Sequence, residues 1–152
     1  MHIFIAAIGK FKSGPEQALY EHYAKRVPWK MTLKEFDIKK PQSVLQRKEQ
    51  EAELLLTACK TAEYLIALDE KGKELTSTAF AGHLQKVRDR DARTIAFIIG
   101  GADGLHETVL ARVQLTLSFG RITWPHLLVR GLLAEQIYRA HTILNHHPYH
   151  RE

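Results

Sequence analysis

Cysteine is nearly missing from this chain: Cys59 is the only one in 152 residues. That excludes an internal disulfide and any multi-cysteine zinc or iron-sulfur site, and it suits a reducing compartment, so a cytoplasmic protein is expected. Long apolar runs are missing too. The run Ile3-Phe4-Ile5-Ala6-Ala7-Ile8 is too short to span a bilayer and has no basic leader before it, so it reads as a buried strand rather than an anchor or signal. No internal repeat, low-complexity stretch or linker marks a boundary, and one compact domain over residues 1–152 is expected.

What is present is a balanced globular composition, 45% hydrophobic and 26% charged, far from that of a disordered chain. Lys and Arg outnumber Asp and Glu by 22 to 17, for a formal charge of +5. This small excess ranks a polyanion such as RNA above an acidic small molecule as partner, and carries little weight alone.

Short apolar segments alternate with amphipathic ones. His2–Ile8, Tyr64–Leu68, Thr94–Ile99 and Leu115–Leu117 read as strands covered on both faces, and Thr32–Ile38, interrupted by charge, as an edge strand. Helices are expected from about Ser13 to Val27, opened by a Ser13/Glu16 capping box with Pro15 in the first turn, and over 43–60, 76–88 and 125–144. In the second, Leu45, Ala52, Leu55, Leu56 and Cys59 share one side, which makes Cys59 a core residue. The alternation implies an α/β layered fold with a mostly parallel sheet.

The strand ending at Ile99 runs into Gly100-Gly101-Ala102-Asp103-Gly104, where a ligand can approach backbone amides or where a tight turn simply needs positive φ. The spacing is not a dinucleotide fingerprint, which disfavours a nucleotide-dependent oxidoreductase. Gly9 and Gly14 have the gap of a phosphate loop, but Pro15 and Glu16 stand where Lys and Ser or Thr are needed. Gly72, after Leu68-Asp69, marks a turn or a second ligand loop.

Downstream, Gly120, Ile122, Thr123 and Trp124 leave a strand and enter the long helix, suiting either a cofactor pocket or ordinary packing, with Thr123 a possible cap. His126 and Arg130 fall one turn apart near that helix's start, where an anion is welcome. Glu135 and Arg139 pair four apart. The tail Asn145-His146-His147-Pro148-Tyr149-His150-Arg151-Glu152 is dense in groups that stack on bases, donate hydrogen bonds or titrate near neutrality. A metal site is disfavoured there, since no carboxylate or cysteine accompanies the histidines at ligand spacing.

Together, Phe97–Leu105, Thr123-Trp124-Pro125-His126, Leu128-Val129-Arg130, Leu133–Ala140 and the tail to Glu152 closely resemble the large-subunit rRNA pseudouridine N3-methyltransferase family of the SPOUT superfamily. The resemblance spans the chain and is most specific after Phe97. It implies a C-terminal trefoil knot, a homodimer and S-adenosyl-L-methionine (SAM) as cofactor. The SAM positions carried over are Leu68, Gly100, Gly101, Gly120, Arg121, Ile122, Thr123, Trp124 and Pro125. The implied target is a pseudouridine in the helix 69 loop of 23S rRNA in the assembled ribosome. For proton removal from N3 the candidates are His126, Tyr149 and His150; for holding RNA, Arg130, Arg139, His147, Tyr149 and Arg151. Membrane and metal partners are not expected. The competing class is a ribosome-associated RNA-binding protein without catalysis, against which the retained glycine turn and Thr123-Trp124-Pro125 argue.

Overall fold

The computed structural model describes residues 1–40 and 43–151; Pro41, Gln42 and Glu152, the last residue of the expected tail, lie outside them. Five parallel strands, β1 (His2–Ile8), β2 (Lys30–Phe36), β3 (Tyr64–Glu74), β4 (Thr94–Ile99) and β5 (Leu115–Ser118), form one sheet in the order β2-β1-β4-β3-β5. β2 is at an edge, as its interrupted apolar pattern predicts. Five helices accompany them: α1 (Pro15–Ala24), α2 (Val44–Ala58), α3 (Ser77–Arg88), α4 (Glu107–Leu110) and α5 (His126–Leu144).

Because side chains alternate across a strand, the central strands feed two cores. Ile3, Ile5, Ile95 and Phe97 face α1, α3 and α5, where they meet Tyr20, Phe80, Leu84, Leu133 and Ile137. Ala6, Ile8, Ala96 and Ile98 face α2 and α4, meeting Ala52, Leu55, Cys59 and Val109. The small alanines let α2 sit close on that face. Cys59 is 2% exposed, and burial pushes its thiol pKa up to about 12, so it is inert packing rather than a nucleophile.

Local chemistry departs from expectation at several ends. α1 is capped by Gly14 with no side-chain bond, so the Ser13/Glu16 box does not form, and the helix stops at Ala24, though Val27 is still buried. The box that does form is at α2: Ser43 Oγ accepts from the Gln46 amide at 3.2 Å, and Gln46 Oε1 accepts from the Ser43 amide at 3.4 Å. Leu45 is 60% exposed, not part of the apolar face. Gly72 is no turn between elements. β3 shifts register between Leu68 and Lys73 and continues, and a Cβ at Gly72 would stand 2.7 Å from the Thr116 carbonyl, so the bulge lies directly on the β5 backbone.

Candidate active site

The carboxyl ends of β4, β3 and β5, neighbours in the sheet, open into one cleft of about 930 Å³. Crevices at this position are where open α/β sheets hold ligands. Two strand-exit loops and the bulge within β3 build it. After β4 the chain turns back at once, with the Gly104 amide donating to the Gly101 carbonyl at 3.1 Å; positive φ falls at Gly104, not at the Gly100-Gly101 pair. After Leu68, Asp69, Glu70 and Lys71 bulge out as the floor and one wall.

The loop after β5 forms the opposite wall, and its shape is fixed by polar contacts within the site. Gly120 takes φ +106, a left-handed value that a β-carbon would strain, and its amide donates to Ser118 Oγ at 3.1 Å. Thr123 does not cap α5, which starts after Pro125; its hydroxyl donates to Glu70 Oε2 at 2.9 Å and ties two walls together. Trp124 Nε1 donates to the Phe119 carbonyl at 3.3 Å. Ile122 and Trp124 remain 70% and 39% exposed, apolar surface that a ligand in the cleft would cover.

Leu68, Gly100, Gly101, Gly120, Ile122, Thr123, Trp124, Pro125 and His126 therefore converge on a single cleft. Arg121 does not line it: its side chain is 96% exposed and its partner is Glu74 at 3.9 Å, because the residue sits at the outer bend of the loop. Sequence reasoning passed over Glu70 and Lys48, which also line the cleft. The signal for Glu70 was its place just past a strand end in the Leu68-Asp69 segment.

His126 opens α5 at the cleft's edge. Burial, and then the Arg130 guanidinium, lower its pKa, so the ring is neutral at neutral pH and can accept a proton. Arg130 itself corrects the expectation of a phosphate ligand. It is 0% exposed, pairs with Glu35, donates to the carbonyls of Ile8 at 2.6 Å and Gly9 at 2.8 Å, and lies 4.9 Å from the centre of the Phe11 ring. It clamps the ends of β1 and β2 to α5 and has no face left for RNA.

The tail packs on its own chain. Tyr149 stacks edge-on against Tyr138 at 4.8 Å and donates its hydroxyl to Glu135 at 3.0 Å, under the guanidinium of Arg139. Burial first, and then its bonds to Tyr23 and Glu135, raise the Tyr149 pKa well above the usual phenol range. Arg139 is held mainly by Glu135 and lies 3.3 Å from His150 Nδ1, while His150 Nε2 is buried without a partner among the described residues. His147 and Arg151 are exposed. Tyr149 and His150 are thus not brought to the cleft within one chain. Among the described residues no group of three His, Cys, Asp or Glu is placed to hold a metal ion, and no helix is long and apolar enough to cross a membrane.

A parallel α/β/α sandwich with a cleft where three adjacent strands end or bulge defines the class: an open α/β protein with its crevice in the usual ligand-holding place. The family model described as Predicted SPOUT methyltransferase matches residues 1–150, and the chain belongs to that family. It is 52% identical over 151 residues to the ribosomal RNA large subunit methyltransferase H of Rhodospirillum centenum, covering 99% of each chain. The protein of the same name from Paramagnetospirillum magneticum is 51% identical over 151 residues, again with 99% of each covered. The solved structure of a probable methylase family protein from Haemophilus influenzae Rd KW20 covers 99% of this chain and 70% of its own at 16% identity and a TM-score of 0.60, a likeness of fold.

Proposed function

We propose that this protein transfers the methyl group of SAM to N3 of a pseudouridine in the helix 69 loop of 23S rRNA, acting on the assembled ribosome. In this reading it is a cytoplasmic homodimer whose single domain, residues 1–152, ends in a trefoil knot. The observation that carries the proposal is the convergence of the β4 and β5 exit loops and the β3 bulge on one cleft lined by exposed Ile122 and Trp124. The full-length relatives named as large-subunit rRNA methyltransferases supply the substrate class. The knot reading is supported by the loop after β5 lying against the β3 bulge, where both Ser118 and Thr123 bond to Glu70.

The residues fit the cofactor. Leu68, Ile122, Trp124 and Pro125 offer apolar surface for an adenosine, while backbone groups of Gly100, Gly101 and Gly120 meet its polar edges. SAM, when bound, supplies an electrophilic methyl carbon on a sulfonium. Attack on it needs the acceptor nitrogen held in line, so positioning by the cleft walls supplies much of the acceleration. The N3 imide proton must leave, and neutral His126 at the cleft's edge is a group that can take it. In the dimer, the tail of one subunit completes the other's cleft with Tyr149 and His150 while Arg139, His147 and Arg151 hold RNA. Incubation of the protein with labelled SAM and ribosomes that carry the pseudouridine but lack its methyl group, with free 23S rRNA in parallel, followed by mass mapping, tests this. Label at one pseudouridine in ribosomes is expected, and absence of label from both substrates defeats it.

A further inference from the structure

Charge is distributed unevenly between the two ends of the sheet. The cleft, at the carboxyl ends, is lined by Asp69, Glu70 and Asp103 against Lys48 and Lys71, so a run of phosphates gains nothing there from net charge. At the amino ends the connections from helix back to strand are basic. Between α1 and β2 the chain carries Lys25, Arg26 and Lys30 and no acidic residue; between α3 and β4, Arg88, Arg90 and Arg93 stand with Asp89 and Asp91. Much of the chain's formal charge of +5 is therefore gathered at this end.

The two connections form one surface. β1 starts between β2 and β4: the His2 amide donates to the Arg93 carbonyl at 2.8 Å, and His2 is in register with Lys30. On the helix side, His141 in the last turn of α5 joins them. Its ring meets Trp29 edge-on at 5.3 Å, and burial, then His147 and Arg88, lower its pKa. Arg26 lies over the Tyr138 ring at 4.4 Å and donates to its hydroxyl, but Lys25, Lys30, Arg90 and Arg93 are exposed and form no ion pair among the described residues. Arg88 reaches only Asp89, at 3.8 Å, with both side chains exposed. A helix C-terminus carries roughly half a negative charge, which calls for a cation in the last turn and not for basic residues that continue to the next strand.

We propose that this surface, with Lys25 and Lys30 from one connection and Arg88, Arg90 and Arg93 from the other, grips the phosphate backbone of ribosomal RNA at the end of the sheet opposite the chain's own cleft. The proposal rests on the rRNA reading above. Phosphates displace only counterions there, so the grip is independent of sequence and steep in salt. The tail leaves from the same place, with the His147 amide donating to the Thr142 carbonyl at 2.9 Å. Because the tail of one subunit completes the other's cleft in the proposed dimer, RNA held here is delivered to the cleft of the partner subunit.

Ribosome binding across a salt series tests it, with SAM affinity by calorimetry and the thermal midpoint as controls. Three double variants are compared: Arg88→Gln with Arg90→Gln, Lys25→Gln with Lys30→Gln and, at the cleft end, Lys10→Gln with Lys12→Gln, which removes the same charge. The first two should each weaken ribosome binding by about 10-fold and lower the slope of log affinity against log salt by about 2, for two lost phosphate contacts. Their KM for ribosomes should rise with kcat retained, and SAM affinity and thermal midpoint should hold. The third should change ribosome binding by less than about 2-fold. Equal losses in all three overturn the proposal, because net charge and not this surface would then set affinity. A fall in thermal midpoint that accounts for the lost binding overturns it too, the cations then serving only the helix ends. Wild-type affinity and slope in the first two, with ribosomes still methylated, overturn it and leave the rRNA reading standing. Wild-type protein that binds SAM but no ribosomes defeats the rRNA reading itself, and this proposal with it.

Discussion

The cleft and the tail, both assembled around α5, are finished to different degrees. The cleft's walls are braced by bonds of one chain: Thr123 to Glu70 joins two walls, while Trp124 to Phe119 and Gly104 to Gly101 each stiffen a single wall. The tail beyond Asn145 is braced to the backs of its own α5 and α1, through Glu135 and Tyr23, and it leaves His150 Nε2 buried without a partner among the described residues. Under the proposed function, the cofactor half is the one preorganised within a single chain, and the tail is the half that would need a second chain to act on RNA. Preorganisation is what lets a site hold its ligand without paying to order loops on binding.

Removing the tail from His147 onward is the severest way to break the comparison. Methylation of ribosomes should fall to background while SAM affinity, read by calorimetry, changes less than about 2-fold, since no tail residue lines the cleft of its own chain, where the cofactor is proposed to sit. Joint loss of both would mean that the two regions are one unit. Next in size, Arg130→Ala should cost roughly 3 to 5 kcal/mol in urea denaturation, because it leaves Glu35 without its cation and two carbonyls at the sheet end without their donor. Arg139→Ala, partly exposed and away from the sheet, should cost far less and impair ribosome binding instead. Equal stability losses in the two variants would remove the distinction between a clamp and an RNA ligand.

Smaller effects sharpen the division. Trp124→Ala should weaken SAM by about 10-fold through lost apolar contact, with ribosome binding unaltered. Arg151→Ala should lower ribosome affinity modestly and reduce the slope of log affinity against log salt by about 1, the mark of one lost phosphate contact. A slope unchanged within error would place Arg151 outside the RNA surface.

Much of the fold was legible because its periodicities are strong. Four near-continuous apolar runs announced a sheet buried on both faces, and the charge-broken run from Thr32 announced its edge. Strand exits at Gly100 and Gly120 marked the cleft. What escaped has local causes. α4 spans only four residues, Glu107–Leu110, too few for a helical period to register. Gly72 resembles a turn in sequence, and only the approach of β5 turns it into a bulge. Arg130 was expected on RNA because helical spacing placed it near His126, but spacing cannot reveal Glu35, 95 residues away.

The finest test concerns His126, which belongs to the cleft but owes its ionisation partly to the clamp beneath it. Its folded pKa lies below 6.5, its ordinary value, through burial first and Arg130 second. The unfolded chain therefore binds the proton more readily than the native one, so the native state should lose stability as pH falls through 6.5 and regain it above. His126→Gln removes that contribution, and its stability, measured by denaturation between pH 7.5 and 5.5, should decline less than the wild type's. Methylation should show the matching sign, holding at a pH somewhat below 6.5 before protonation silences the acceptor and, in His126→Gln, losing that acidic limb. Parallel stability profiles for the two proteins would mean that the ring titrates as an ordinary surface histidine and is not the neutral acceptor at the cleft's edge.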